Sequence, residues 1–403
     1  LNKFKPRVEH RIVLPLVFCI LKLFNLNSQA IFLLKPIDDK TVLWSLKDNQ
    51  YLVVENATAL LVSKLSKGMA IEDISRDLSQ ELSLPIKEST DFVLDLKKRF
   101  IDLDSSSNSN KIEDFNRTAI PGVLAVEKFY KINELIIKAC FESEESCLLI
   151  HPKFEHLEVA CQKHDFCFKT FTQNARIFLA VQNKLIGSWP FDEIHYFQGK
   201  FSMLLIQKMH NKQEDKWLGV FHASAVSNKK SAMLFLGDSG NGKSTSLALL
   251  QAHGFDCIAD DFVPVAAQNQ DIYSFPAAIS VKKTSLDTLL AFYPELDDSK
   301  EYDFKVTQKI VRYLKPNNSD FSSHLPCKGL VFIKYIKDAP LSCEKITKVA
   351  AFQKLVPDSW LSPLKENAAI FLDWFASLDC FELTYSNNNE MVAQVSKLFK
   401  DEL

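Results

Sequence analysis

The stretch "SAMLFLGDSGNGKSTSLALLQAHG", Ser231 to Gly254, constrains this chain's fold more than any other part of it. Gly237, Gly240 and Gly242 stand within six residues of one another, in a chain of 403 residues that has only ten glycines. Followed by Lys243 and Ser244, they fit the spacing G-x-x-x-x-G-K-[ST]. The apolar run before the loop reads as a buried strand, and "KSTSLALLQA" after it reads as a helix closed by Gly254. A glycine-rich turn in that setting directs backbone N–H groups inward and lets phosphate oxygens approach without Cβ clashes, while the helix start adds positive potential. The sequence therefore predicts a nucleotide-phosphate cradle built from Gly237, Asp238, Ser239, Gly240, Asn241, Gly242, Lys243, Ser244 and Thr245. In it Lys243 reaches the β- and γ-phosphates and the Ser244 hydroxyl ligates magnesium.

After the helix, "FDCIADD" reads as a second strand ending in Asp260 and Asp261. Parallel strands of such folds turn their C-terminal ends to the ligand crevice, so both carboxylates are expected at the mouth of the phosphate loop. Two carboxylates there can divide the work, one on the metal and one on an acceptor hydroxyl; a solvated acidic turn is the plainer alternative. No N-K-x-D guanine-reading motif and no "LSGGQ" signature accompany the loop, and the acidic pair follows it early. Those features disfavour GTPases, transporter ATPases and most motor ATPases.

The bulk of the chain is ordinary for a globular protein, with 47% apolar and 24% charged residues. Its length suggests two or three domains. A formal net charge of −2 supplies no general attraction to nucleic acid or to an anionic membrane, so neither is expected as a partner. Nine scattered cysteines do not form a disulfide framework and fit a reducing, cytoplasmic setting. In "CQKHDFC", Cys161 to Cys167, the flanking segments "LEVACQ" and "FCFKTF" predict a hairpin rather than a metal site. The run "RIVLPLVFCILKLF", Arg11 to Phe24, is broken by Pro15 and Lys22 and is shorter than the ~20 residues that span a bilayer. It reads as a packed or irregular segment without a persuasive cleavage site, and the opening Leu1 leaves the true start of the chain open. The final "KDEL" reads as a solvated helix end rather than an address signal.

Segment boundaries follow composition. Residues 1–40 have no assigned role. A Ser/Asn-rich linker, 104–118, separates a small unit, 41–103, from a long one, 119–403. In the small unit "TVLWSLKDNQYLVVE" predicts a hairpin, and helices follow from Asn56, Ala70 and Lys87, a winged-helix pattern. The order of hairpin, "ENATALLVSKLSKGMAIEDIS" and a last amphipathic helix resembles the PqqD family, whose members hold leader peptides of ribosomally made peptides. The resemblance implies a peptide added as a strand near Tyr51 to Val54 and lying along Phe92 to Phe100. A structural module or dimer contact is the alternative. From Ala119 to about Val220 the segments, among them "RIFLAVQNKLIGSW" and "KFSMLLIQKM", predict a β-rich layer before the nucleotide fold.

The stretch "FHASAV", the phosphate loop and "ADDFVPV", in that order and spacing, resemble the catalytic domain of HPr kinase/phosphorylase and its serine-kinase relatives. The resemblance runs from about Leu218 to the C-terminus and implies an α/β P-loop kinase domain that uses ATP and Mg2+. It implies Asp261 as base toward the acceptor hydroxyl, Asp260 beside Ser244 as support for magnesium, and His222 in the same acidic network. For charge on the moving phosphoryl group, Arg312 and Lys315 of "KVTQKIVRYLKP" are the basic residues to consider. The family's further Gly-containing signature, tied to its reverse reaction, is not found; only Gly329 follows Gly254. The expected activity is therefore phosphorylation of a Ser or Thr hydroxyl on a peptide held by the small unit. A small-molecule acceptor such as free serine, and a nucleotide-gated binding module, stay open, as do the nucleotide base and a homo-oligomeric state.

Overall fold

The computed structural model describes residues 32–102, 118–304 and 309–402. The Arg11 to Phe24 run and the linker at 104–117 lie outside the described residues. What is described is a mixed α/β chain with several sheets, dividing into two compact units. One holds residues 118–346 and 377–402; the other holds 32–102 together with 347–376.

The smaller unit begins with three antiparallel strands, Phe32–Ile37, Lys40–Ser45 and Gln50–Glu55, paired in that order. Alternation along them makes two apolar faces. One face, with Phe32 and Leu43, packs on Val62 and on partly buried Phe100 and Ile101. Beneath it the helices Asn56–Ser66, Ile71–Leu82 and Ile86–Phe100 share a core of Leu61, Leu65, Ile74, Leu78, Val93 and Leu96. On the other face Trp44 and Tyr51 are wholly buried. Tyr51 meets Phe371 edge-on at 5.5 Å between ring centroids and Phe352 at 6.0 Å, from the helices Lys365–Ser377 and Lys348–Leu355. Asn49 Nδ2 donates to Leu361 O at 2.9 Å in the same packing.

Two boundaries therefore differ from those read in the sequence. The hairpin has a third strand that starts before residue 41, and residues 347–376 belong to the same compact unit as these strands. A sheet that is apolar on both faces needs cover on both, and the local pattern does not say which distant segment supplies it.

The larger unit opens with a five-stranded sheet, Val126–Ile132, Leu135–Phe141, Phe166–Gln173, Arg176–Val181 and Lys184–Pro190, in chain order. The β-rich reading needs two corrections here. "KFSMLLIQKM" is part of a helix, Ile194–Met209, with Phe201, Met203, Leu204, Leu205 and Ile206 all buried. An apolar run buried on all sides has no period by which to tell helix from strand. The expected hairpin around Lys163 to Asp165 also does not form: Phe166–Gln173 is already paired on both edges, parallel to Leu135–Phe141 and antiparallel to Arg176–Val181.

In the central sheet the strands Asp256–Asp260, Ser224–Ser227, Ala232–Leu236, His324–Tyr335, Asp271–Tyr273, Val263–Ala266 and Trp217–Phe221 follow one another. Asp379–Tyr385 runs parallel beside His324–Tyr335, and Ser342–Lys345 flanks it. The helices Lys243–Ala252 and Asn388–Lys400 share one core with this sheet, through Leu247, Leu250, Val331, Leu383, Val395 and Phe399. Ser224–Ser227 is antiparallel to both of its neighbours, so Ala232–Leu236 and Asp256–Asp260 point the same way. Their C-terminal ends open on one side of the sheet.

Candidate active site

At the end of Ala232–Leu236 the chain turns through three glycines with positive φ, Gly237 at 145°, Gly240 at 102° and Gly242 at 93°. A Cβ on Gly237 would stand 2.7 Å from the backbone oxygen of Ile333, and one on Gly242 would stand 3.2 Å from the Tyr385 hydroxyl. The loop is thus pressed against the neighbouring parallel strands, and only residues without side chains fit there. Tyr335 N donates to Asn241 O at 3.1 Å, and Asn241 N donates to Asp238 O at 3.1 Å. Lys282 Nζ donates to Ser239 Oγ at 3.1 Å, and Thr245 Oγ1 donates to Ser285 Oγ at 2.9 Å. The helix starting at Lys243 has Gly242 as its N-cap, with no side-chain cap among the described residues. Lys243 is buried and its ammonium donates to Gly237 O and, at 3.5 Å, to Asp238 O. Its charge sits inside the loop.

Asp260 ends its strand almost fully buried. Its Oδ1 accepts from Ser224 Oγ at 2.6 Å and from Ser244 Oγ at 3.2 Å, and its Oδ2 accepts from Ser280 N at 3.2 Å. Burial first, and then the neighbouring charge of Asp261, push its carboxyl above the usual range, against the pull of those three hydrogen bonds. Asp261 follows the strand with a left-handed backbone, φ 66°, and its carboxylate meets other partners. Its Oδ2 lies 3.0 Å from Lys153 Nζ and its Oδ1 lies 3.5 Å from His222 Nδ1. All three side chains are one-third to one-half exposed. The two adjacent carboxylates thus have separate surroundings, one inside on the loop's serine and one at the open mouth.

Lys153 is absent from the sequence reading. It closes the 3-10 turn His151–Lys153, 108 residues before Asp261. Its place is well determined: Ala278 N donates to Lys153 O at 2.8 Å, and Phe154 packs edge-on against Phe275 at 5.9 Å. Phe275 N in turn donates to Ile258 O at 3.0 Å, within the strand that carries Asp260. Nothing in "HPKFEH" announces this contact.

Arg312 goes elsewhere. It lies on the strand Lys309–Leu314, where side chains alternate between faces. Tyr313 shares the electrostatic environment of Lys153 and Asp261, and burial above all pushes its phenol up to about 12. Arg312 Nη1 donates to the carbonyls of Leu296, at 2.5 Å, and Asp297, and its Nη2 lies 3.7 Å from Glu301. The expectation that it serves the phosphoryl group is corrected on that geometry. Lys315 lines an open cavity of about 710 Å³ with His156, Tyr293 and Asn317, a lining that includes neither Asp260 nor Asp261.

The hydroxyl of Ser244 and the carboxylate of Asp260 are hard oxygen donors, the kind magnesium takes. Among the described residues no cluster of three or more His, Cys, Asp or Glu forms a closed metal cage. Magnesium does not need one, since it keeps waters and substrate phosphates in most of its positions. The pair fits the ion. Cys161 is exposed, while Cys167 faces Cys140 across the sheet at 3.9 Å between sulfurs. No described helix is long and apolar enough to cross a membrane.

No family model matches the chain, and no curated protein does. Among solved structures it is similar to the Hpr(Ser) kinase/phosphatase from Coxiella burnetii, with 10% identity and a TM-score of 0.20, over 45% of this chain and 94% of that one.

Proposed function

We propose that this chain is an ATP-dependent kinase that transfers the γ-phosphate to a Ser or Thr hydroxyl. The observation that carries the reading is the hydrogen bond from Ser244, at the start of the phosphate-loop helix, to Asp260, with Asp261 held apart beside His222. In this reading the loop amides of Gly237 to Thr245 and Lys243 hold the nucleotide phosphates. Ser244 and Asp260 hold Mg2+, which when bound neutralises charge on the phosphate oxygens. Asp261 takes the proton of the acceptor hydroxyl as its oxygen attacks the γ-phosphorus, and ADP leaves. In this reading His222, 3.5 Å from Asp261 Oδ1, passes that proton to solvent.

The acceptor we favour is a peptide whose leader pairs with the PqqD-like segment 41–103. Tyr51 is covered by Phe352 and Phe371, so the docking route in this reading is the backbone edge of Gln50–Glu55. The same covering favours, as a second reading, a free hydroxy amino acid that needs no groove. Removing the first 105 residues is a poor test, because it would strip residues 347–376 of the strands they pack on. The better experiment offers γ-labelled ATP and magnesium to a precursor peptide encoded beside this gene, to the same peptide without its leader, and to free serine. Label on the full peptide alone supports the first reading and label on serine the second. Tight nucleotide binding with no labelled product from any of them removes the kinase assignment. Lys243→Ala should abolish any label that appears.

A further inference from the structure

Asp261 has a cationic partner that the phosphate-loop pattern does not supply. Lys153 reaches it from the polypeptide preceding the nucleotide fold, ammonium to Oδ2 at 3.0 Å. His222 stands on the other oxygen, Oδ1, at 3.5 Å. We propose that Lys153 is a positioning residue for Asp261, holding Oδ2 so that Oδ1 is presented to the acceptor hydroxyl; this rests on the kinase reading above.

The geometry argues for a role beyond fastening the segment. The segment is already fastened without the ammonium, by the Ala278 to Lys153 backbone bond and by Phe154 on Phe275. Tyr302 Oη also donates to Glu155 at 2.7 Å just beyond. The ammonium instead meets Asp261 Oδ2, on a side chain about one-third exposed overall. Asp261 needs such a partner for two reasons. Its backbone is left-handed, so its direction is not inherited from the strand before it. It also adjoins a second, buried carboxylate whose charge repels its own. A fixed cation on one oxygen answers both, because it orients the group and offsets the repulsion. Arg312 does not do this, being bonded to the carbonyls of Leu296 and Asp297.

Proton transfer goes to Oδ1: the acceptor O–H bond breaks, the oxygen–phosphorus bond forms, and the bond from the γ-phosphorus to the ADP oxygen breaks. Lys153 keeps its own protons throughout.

The test uses the full chain with MgATP, the precursor peptide, free serine and water as acceptors, and a fluorescent ATP analogue as the binding probe. The expected result is that Lys153→Met lowers kcat about 100-fold, the lower end of a general base's contribution. Nucleotide Kd and melting temperature should stay within twofold and a few degrees of wild type, and Lys153→Arg should recover turnover to within tenfold. A Lys153→Met enzyme with wild-type kcat overturns the inference and leaves the kinase reading intact. Loss of turnover that Lys153→Arg does not rescue, or that comes with loss of nucleotide binding, also overturns it, since a structural lysine would behave so. A wild-type chain that binds the analogue but transfers phosphate to none of peptide, free serine and water, matching Asp261→Asn, removes the kinase reading and the inference with it.

Discussion

Ser224 Oγ donates to Asp260 Oδ1 at 2.6 Å, both side chains buried at the junction of two antiparallel strands. That bond and the one from Ser244 tie the helix after the glycine loop to the acidic strand through a single carboxylate oxygen. Asp260→Ala is expected to reduce turnover at least about 100-fold and to remove the effect of magnesium on nucleotide affinity. Its melting temperature should hold or rise, since a buried carboxylate next to another is costly to desolvate. Nucleotide titrations with and without magnesium, beside a thermal melt, check both halves.

Gly237 and Gly254 make a matched pair. Both have positive φ, but a Cβ on Gly237 would meet the Ile333 carbonyl at 2.7 Å, whereas one on Gly254 would meet nothing within 4 Å. Gly254→Ala should cost about 1 kcal/mol and leave nucleotide affinity unchanged. Gly237→Ala should cost about 2–3 kcal/mol and weaken nucleotide binding at least tenfold, because the loop must move to make room. Denaturant melts and analogue binding on the two variants decide it.

The Tyr51 hydroxyl is buried and has no hydrogen-bond partner among the described residues. Tyr51→Phe is therefore expected to be neutral or to stabilise by up to about 1 kcal/mol, because the unmet polar group is removed and the ring contacts with Phe352 and Phe371 are kept. Tyr51→Ala should cost about 3–5 kcal/mol, as a large aromatic lost from a core does. Urea unfolding of the two variants gives opposite signs if the packing is as described.

Acid should weaken the larger unit as two of its buried histidines are forced to take up protons. Burial pushes His210 down to about 4 even though its Nε2 bonds to Ser274 O, and burial with the charge of Lys315 pushes His156 down to about 4. In the unfolded chain both titrate near 6.5. Between those values the unfolded state binds more protons, so this contribution is complete above pH 6.5 and is lost as pH falls toward 4. Each unit is about 1.4 kcal/mol, so the two together should lower stability by on the order of 2–4 kcal/mol between pH 7 and pH 5. Denaturant titrations across that range test it, and His210→Gln should flatten the slope by about half.

Legibility in the sequence followed the range of the interaction. The glycine loop was readable because its demands are local: positive φ at Gly237, Gly240 and Gly242, a strand before and a helix after. The helices from Asn56, Ile71 and Ile86 were readable for the same reason, each repeating its own apolar period. The helix Ile194–Met209 was misread because an apolar run buried on all sides carries no period.

By itself the sequence determined a strand, a glycine loop and a helix, and an acidic pair one strand later, all set by neighbours close along the chain. Only the tertiary structure decided that Lys153 stands on Asp261, that Arg312 turns to the carbonyls of Leu296 and Asp297, and that 347–376 covers Tyr51. Those outcomes depend on which face of which strand a distant segment buries. Side-chain direction at a given position is settled by packing, and spacing along the chain carries no record of it.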